Sequence, residues 1–242
     1  MGSIELFPRT QPRHAAAAAF RALPAAVAST VRVREARIGD FAAVRALQMR
    51  AGHGTCTLRQ FESRLHGFPE GQLVAARGAE IVGYAATLIV DWDAQPVQPT
   101  WATATGDGYF TSHDPQATSL FCAETVVEAA PFASDAFRAL VQARRKLCRR
   151  LNLRRALATP SLQGYSRVAD RLSPEQFATH ILWGEALEPT WRAHAAQGFQ
   201  FCGLLRGFTP PGDSSCGNAG LFAWLNPLYG PPGPPASERR CA

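Results

Sequence analysis

The sequence predicts one mixed α/β domain. Three observations carry this. Runs of β-branched and apolar residues alternate along the chain with segments of helical period, in the order β-α-α-β-β-loop-β-α-β-α-α-β-β. The 242 residues are 46% hydrophobic, enough for one core and too few for several. Glycine or proline punctuates most of the junctions.

"VRVREA" from Val31 reads as the first strand, and Gly39-Asp40 caps the helix "FAAVRALQMRA", whose Phe41, Val44 and Leu47 share a face. A second helix, "TLRQFESRLHGF", opens on a capping box of Thr57 and Gln60. Leu58, Phe61, Leu65 and Phe68 form its apolar stripe. "QLVAARG" and "EIVGYAATLIV", joined through Gly78, read as an antiparallel hairpin. Asp91 to Thr118 shows no period and is read as a long functional loop. "SLFCAETVV" is the next strand, and Phe137 to Leu151 the next helix. There Phe137, Leu140, Val141, Leu147, Cys148 and Leu151 face inward, with Arg138, Arg145, Lys146 and Arg149 roughly opposite. "RRALATP" is a short strand. Ser173, Pro174 and Gln176 open another helix, and a last helix stops at Gly198. "FQFCGLLRGF" and "AGLFAWLN" close the domain as strands.

The expected organisation is an Ala/Arg/Pro-rich extension over residues 1–30, the folded unit over 31–229 and a Pro/Gly tail over 230–242. The 25 basic against 19 acidic residues give a charge of +6, which favours anionic partners without choosing among them. Six scattered cysteines without a CxxC pair read as reduced thiols. With no run of about 20 apolar residues, the chain reads as cytoplasmic and without a membrane span. No phosphate loop, dinucleotide fingerprint or GxSxG elbow is present, and the histidines lack metal-ligand spacing, so no metal is expected. The basic run "RRKLCRRLNLRR" reads as the solvated face of a helix rather than a nucleic-acid surface. Arg144 is the exception, because it falls within the apolar stripe. Either its stem snorkels and its head pairs with a carboxylate, or it faces an anion at the end of the preceding strand.

The element order, with a carboxylate on the strand before a basic helix, resembles the GNAT (N-acetyltransferase) superfamily. "GYFTSHDP", "ETVVE", "ARRKLCRRLNLRRALATPSLQGYSRVADRLS" and "LFAWLNPLY", with "QFESRLHGFPEGQLVA" and "VGYAATLIVDWD" earlier, resemble the GNAT module that some bacterial proteins carry ahead of a carbon-nitrogen hydrolase domain. The resemblance covers about Val31 to Tyr229 and reads as a stand-alone module. It implies a GNAT fold, an α/β (α+β) domain whose mixed, mostly antiparallel sheet has splayed central strands and is flanked by helices, and transfer of an acyl group from acetyl-CoA, another acyl-CoA or an acyl-phosphopantetheine to the amine of a small-molecule acceptor.

Residue by residue, the resemblance implies that the strand around Thr125, Val126 and Val127 bonds the pantetheine amides, with the Val126 N–H polarising the thioester carbonyl. The turn and helix start at Ser134, Asp135, Ala136, Phe137 and Arg138 then receive the pyrophosphate, with Arg144 beyond. This turn departs from the family pattern: "FASDAF" places Phe132 at the basic position, and Ala133 and Phe137 at glycine positions. Asp135 adds a negative charge, and Ser134 and Asp135 read equally as helix caps. Such a site grips a pantetheine arm better than a nucleotide, which suits an acidic acyl-carrier protein facing the basic helix. Glu124, the lone carboxylate in an apolar strand, is the candidate base. Tyr165 is the candidate acid or a wall residue. Trp92, Tyr109, His113 and Asp114 in the long loop either line the acceptor pocket or pack. The alternatives are a non-catalytic binding module and a GNAT-like decarboxylase of malonyl thioesters.

Overall fold

All seven runs read as strands pair in one sheet, of order β1-β2-β3-β4-β5-β7-β6. The computed structural model describes residues 30–231 apart from 53, 97–98, 129–132, 211 and 213, and residues 133 and 134 by backbone alone. Most of the N-terminal extension and of the C-terminal tail therefore lies outside the described residues, as do Phe132 and the side chain of Ser134. The strands are β1 (Arg32–Glu35), β2 (Gln72–Arg77), β3 (Glu80–Val90), β4 (Ser119–Val127), β5 (Arg155–Ala158), β6 (Gln200–Leu205) and β7 (Ala219–Leu225). Every neighbouring pair is antiparallel except β4 and β5, which run parallel and are joined by the crossover helix α4 (Ala133–Arg150). Gly78 takes φ 61° in the turn between β2 and β3, where a side chain would be strained.

Two helix layers cover the sheet. On one face, α1 (Phe41–Arg50) and α2 (Leu58–Gly67) bury Val44, Leu47 and Phe61 against Tyr84, Leu88, Phe121 and Val126. On the other face lie α4, α5 (Pro174–Leu182) and α6 (Pro189–Ala196). They pack Leu140, Val141, Leu147, Phe177, Ile181 and Trp191 against strand residues such as Ala85, Leu120, Ala156 and Phe222. The capping boxes at Thr57 and Ser173 form as read, each hydroxyl accepting from the N–H three residues on.

Four details differ from the sequence reading. Asp40 does not cap α1; its carboxylate accepts from the Arg37 N–H and pairs with Arg34, closing a 3-10 turn instead. Leu58 is exposed, and the buried line of α2 runs through Phe61 and Arg64. The long loop contains a short helix, α3 (Trp101–Thr105). Helix α4 starts four residues before Phe137, so the turn after β4 is shorter than the sequence suggests.

Candidate active site

Strand β4 supplies the site through two irregularities. Its pairing with β5 runs only from Ser119↔Arg155 to Cys122↔Ala158, after which β4 continues for five residues to Val127. The chain after β5 follows β7 instead: Pro160 accepts from the Gly220 N–H, and Ser161 bridges Ala219. Beyond Cys122 the two central strands therefore diverge, and one edge of β4 has no strand partner among the described residues.

The second irregularity is a bulge. Opposite β3, the three-residue step from Phe121 to Glu124 faces the two-residue step from Leu88 to Ala86. Strict alternation from Phe121 would send the Glu124 side chain to the α4 face. The extra residue turns it to the α1/α2 face instead. Trp101 holds the bulge from that face, its indole N–H donating to the Ala123 carbonyl at 3.0 Å. Arg144 holds it from the other face.

Glu124 is met by two buried polar side chains. Gln48 of α1, fully buried, donates from Nε2 to Oε1 at 2.5 Å, and Arg64 of α2, 2% exposed, donates from Nη1 to Oε2 at 3.0 Å. Arg64 in turn donates from Nε to the Gly108 carbonyl at 2.8 Å, stacks over the Phe110 ring at 4.5 Å and lies near the Tyr84 phenol. Burial pushes the Tyr84 phenol well above its ordinary range and also raises the Cys56 thiol, whose Sγ faces Gln48 Oε1. The loop contributing Gly108 and Phe110 is bent sharply: Gly106, Asp107, Gly108 and Phe110 all have positive φ, and α2 clasps it through Gln60, Ser63 and Arg64. Strained backbone of this kind persists where surrounding structure over-determines it. Here three side chains of one helix do so.

Ladder geometry fixes where the amides of β4 point. The Glu128 N–H donates to Val82 of β3, and pairing is regular from Val127 to Glu124, so the Val126 N–H also faces β3. The N–H groups of Thr125 and Val127 face the gap. Val126 is thus turned away from the role expected of it, because amides alternate sides along a strand.

The remaining expected residues divide. Arg144, 2% exposed, meets no anion: Nε donates to Thr87 Oγ1 at 2.9 Å, Nη1 to Thr125 Oγ1 at 2.5 Å, and Nη2 to the carbonyls of Ala86 at 3.0 Å and Glu124 at 2.5 Å. Tyr165 packs in the cluster on the face of the sheet opposite the Glu124 side chain. It is buried beside Phe177 on the α4 face and donates its hydroxyl proton to the Leu172 carbonyl at 3.0 Å. Asp135 and Arg138 pair across one turn of α4, both exposed, while Ala136 is buried and Phe137 packs edge-on against His194. Trp92 packs on Phe121, and Tyr109 is exposed. His113 stacks on Phe68 and accepts from the Ile89 N–H through Nδ1, one residue along β3 from Leu88, where the bulge ends. Asp114 is exposed and accepts from the Gln116 N–H.

The basic run is largely satisfied within the chain. Arg145 and Arg149 lie over Trp224, Arg150 pairs with Glu70, and Arg154 and Arg155 pair with Asp93. Among the described residues no group of three or more His, Cys, Asp or Glu side chains stands together, and no helix is long and apolar enough to cross a membrane. Gln48, Arg64 and Tyr84 were missed by sequence reasoning. Gln48 and Arg64 each interrupt a buried helical stripe, the same signal that singles out Arg144.

Comparison with known proteins agrees with this fold. No known family profile matches the chain. The "Probable hydrolase YhcX" of Bacillus subtilis is 27% identical over 169 residues, 70% of this chain, and the chain spans only about a third of that relative's length. Among solved structures, "GphF GNAT-like decarboxylase in complex with isobutyryl-CoA" superposes with a TM-score of 0.66 at 20% identity, covering 81% of this chain and 99% of that one. The loading GNATL domain of CurA from Lyngbya majuscula gives 0.62 at 14% identity, covering 81% and 98%.

Proposed function

The chain has the GNAT fold, and we propose that it moves an acyl group from a pantetheine thioester to the amine of a small molecule. The observation that carries this reading is the opening between β4 and β5 directly beside the Glu124 bulge. An extended pantetheine arm fits such an opening, because its amides and the free edge of β4 bond as two strands do. In this reading the Val127 N–H bonds a pantetheine carbonyl and the Thr125 N–H the thioester oxygen.

In the reaction the amine nitrogen bonds the thioester carbon, and the carbonyl electron pair moves to oxygen, where a fixed amide stabilises it. The amine proton passes to the Glu124 carboxylate, which retains free lone pairs beside its bonds to Gln48 and Arg64. The carbon–sulfur bond then breaks, and the departing thiolate takes that proton back. Tyr165, its proton committed to Leu172, is left out of this scheme.

The donor is an acyl-CoA or an acyl-carrier thioester. Asp135 stands in the first turn of α4, where a pyrophosphate needs positive surroundings, and Arg138 is neutralised by it. We therefore propose a grip on the pantetheine arm rather than the nucleotide, so that an acyl-carrier protein serves as donor. Lys146 and Arg149, exposed on α4 and not neutralised by a carboxylate among the described residues, Arg149 keeping its charge over Trp224, face such an acidic partner.

A second reading, decarboxylation of a malonyl thioester, is favoured by one observation: both oxygens of Glu124 already accept hydrogen bonds. In that case the C–C bond to the carboxylate breaks, carbon dioxide leaves, and the enolate oxygen rests on the same β4 amide before the carbon is protonated. Mass spectrometry after incubation with acetyl- and malonyl-pantetheine, with and without amines, decides between them. Amide product supports transfer, and acetyl thioester from the malonyl donor without amine supports decarboxylation. Absence of thioester binding by calorimetry overturns both in favour of a binding module.

A further inference from the structure

Arg144 is an unusual residue to bury. Its guanidinium lies under the floor of the gap, in the middle of the apolar face of α4, and its four hydrogen-bond partners among the described residues are neutral: two hydroxyls and two main-chain carbonyls. A buried cation costs far more to desolvate than a neutral side chain; burial lowers its affinity for the proton, and the charge of the nearby Glu124 carboxylate offsets that only in part. Packing alone does not require it, since Leu or Met fills the stripe of such a helix at no electrostatic cost. Nor does ordinary ladder pairing need it, because strands satisfy their own amides. What it does contact is the bulge: the carbonyls of Ala86 and Glu124, which face each other where the register shifts, and the hydroxyls of Thr87 and Thr125 beside them.

The Glu124 carbonyl belongs to the same peptide unit as the Thr125 N–H. In a trans peptide these groups point in opposite directions. The carbonyl points to Arg144 and β3, so the N–H points into the gap. A hydrogen bond from a cation to the carbonyl draws electron density from the amide nitrogen and makes its N–H a stronger donor, the cooperative effect expected along a chain of hydrogen bonds in a low-dielectric interior. We infer that Arg144 is a positioning residue for the thioester reaction: it locks the β4 bulge that aims Glu124 and polarises the Glu124–Thr125 peptide, so that the Thr125 N–H binds the developing oxyanion. This rests on the reading that a thioester carbonyl lies at that amide. The negative charge developing on the carbonyl oxygen would then feel a full positive charge one peptide away, without Arg144 touching substrate.

The test uses the full chain, a pantetheine ketone or thioester labelled with ¹³C at the carbonyl, and two variants, Arg144→Lys and Arg144→Met. Infrared difference spectra of the bound carbonyl report its polarisation directly. The expected result is a shift to lower frequency on binding to the wild type, largely kept in Arg144→Lys, and lost in Arg144→Met while the ligand still binds. In steady state the fall is expected in kcat rather than KM, about tenfold for Arg144→Met, short of the roughly hundred- to thousandfold cost of removing an oxyanion-hole donor outright. An unchanged carbonyl frequency in Arg144→Met overturns the inference, and so does a variant that loses only affinity. If Arg144→Met does not fold, Arg144→Lys and Thr125→Val, which removes the Nη1 partner while keeping the amide, carry the test. In that case near-wild-type frequency in Arg144→Lys, with a shift toward the free-ligand value in Thr125→Val, supports the inference, and a free-ligand frequency in Arg144→Lys or wild-type frequency in Thr125→Val refutes it. A labelled ligand that fails to bind wild type refutes the functional reading itself, which is a separate outcome.

Discussion

Replacing Arg64 by Met isolates the contribution of the polar cluster to both stability and chemistry. Arg64 is 2% exposed and makes an ion pair with Glu124, a bond to the Gly108 carbonyl and a stacking contact with Phe110, so Met keeps the stem and removes all three. Breaking a buried pair by deleting one partner costs about 3–5 kcal/mol, because the other charge is left uncompensated. Glu124 keeps a bond from Gln48 and is partly hydrated, with 12% of its side chain exposed, so the lower end, about 3 kcal/mol, applies. Glu124→Gln alone keeps a neutral acceptor for Arg64 and costs about 1–2 kcal/mol. If the two side chains act as one unit, the double variant costs less than the sum by about 2 kcal/mol. Urea unfolding followed by tryptophan fluorescence measures each arm of the cycle. Additive losses, or a loss below 1 kcal/mol for Arg64→Met, would refute the claim that the pair is a coupled, desolvated element.

Three further outcomes follow from the same geometry. Glu124→Gln should leave the secondary structure unchanged and remove acyl transfer at least about a hundredfold, read by thiol release; wild-type turnover in this variant removes Glu124 from the mechanism. Tyr165→Phe should lower stability by about 1 kcal/mol through the lost bond to Leu172 and leave kcat within about threefold, and a hundredfold fall in kcat would restore it as the acid. His194, buried among Phe137, Phe199 and Phe222 with Nδ1–H on the Thr190 carbonyl, has its pKa pushed down to about 4 by burial. Its unfolded value is 6.5, so below pH 6.5 the unfolded chain binds the proton first, and stability falls as pH drops toward 4, by at most about 3 kcal/mol. Denaturation midpoints of wild type and His194→Gln between pH 7 and 4 should converge at the acid end, and parallel curves would contradict this.

Much of the fold was legible because it depends on local pattern. All seven strands and five of the helices follow from period, caps and punctuation, and the capping boxes at Thr57 and Ser173 form where they were read. Helix α3 was not legible, since five residues cannot display a helical period. Glu124 stood out as a carboxylate within an apolar strand, but its surroundings did not. The bulge is a relation between two strands, and no feature of β4 alone discloses that Phe121 to Glu124 spans one residue more than its partner. For the same reason Val126 was given the gap-facing amide that alternation assigns to Thr125 and Val127. Arg64 was hidden by Leu58 and Leu65, which offered an equally regular stripe one step round the helix. Arg144 was legible as an anomaly, yet its partners are backbone carbonyls, which sequence does not mark.

A crystal structure with a non-hydrolysable acyl-pantetheine ketone tests the central claim most directly. The account predicts density for the arm between β4 and β5 beyond Cys122 and Ala158, with a pantetheine carbonyl on the Val127 N–H and the ketone oxygen within hydrogen-bond distance of the Thr125 N–H, beside Glu124. A ligand bound elsewhere, or β4 and β5 zipped together with no room for it, would contradict the account.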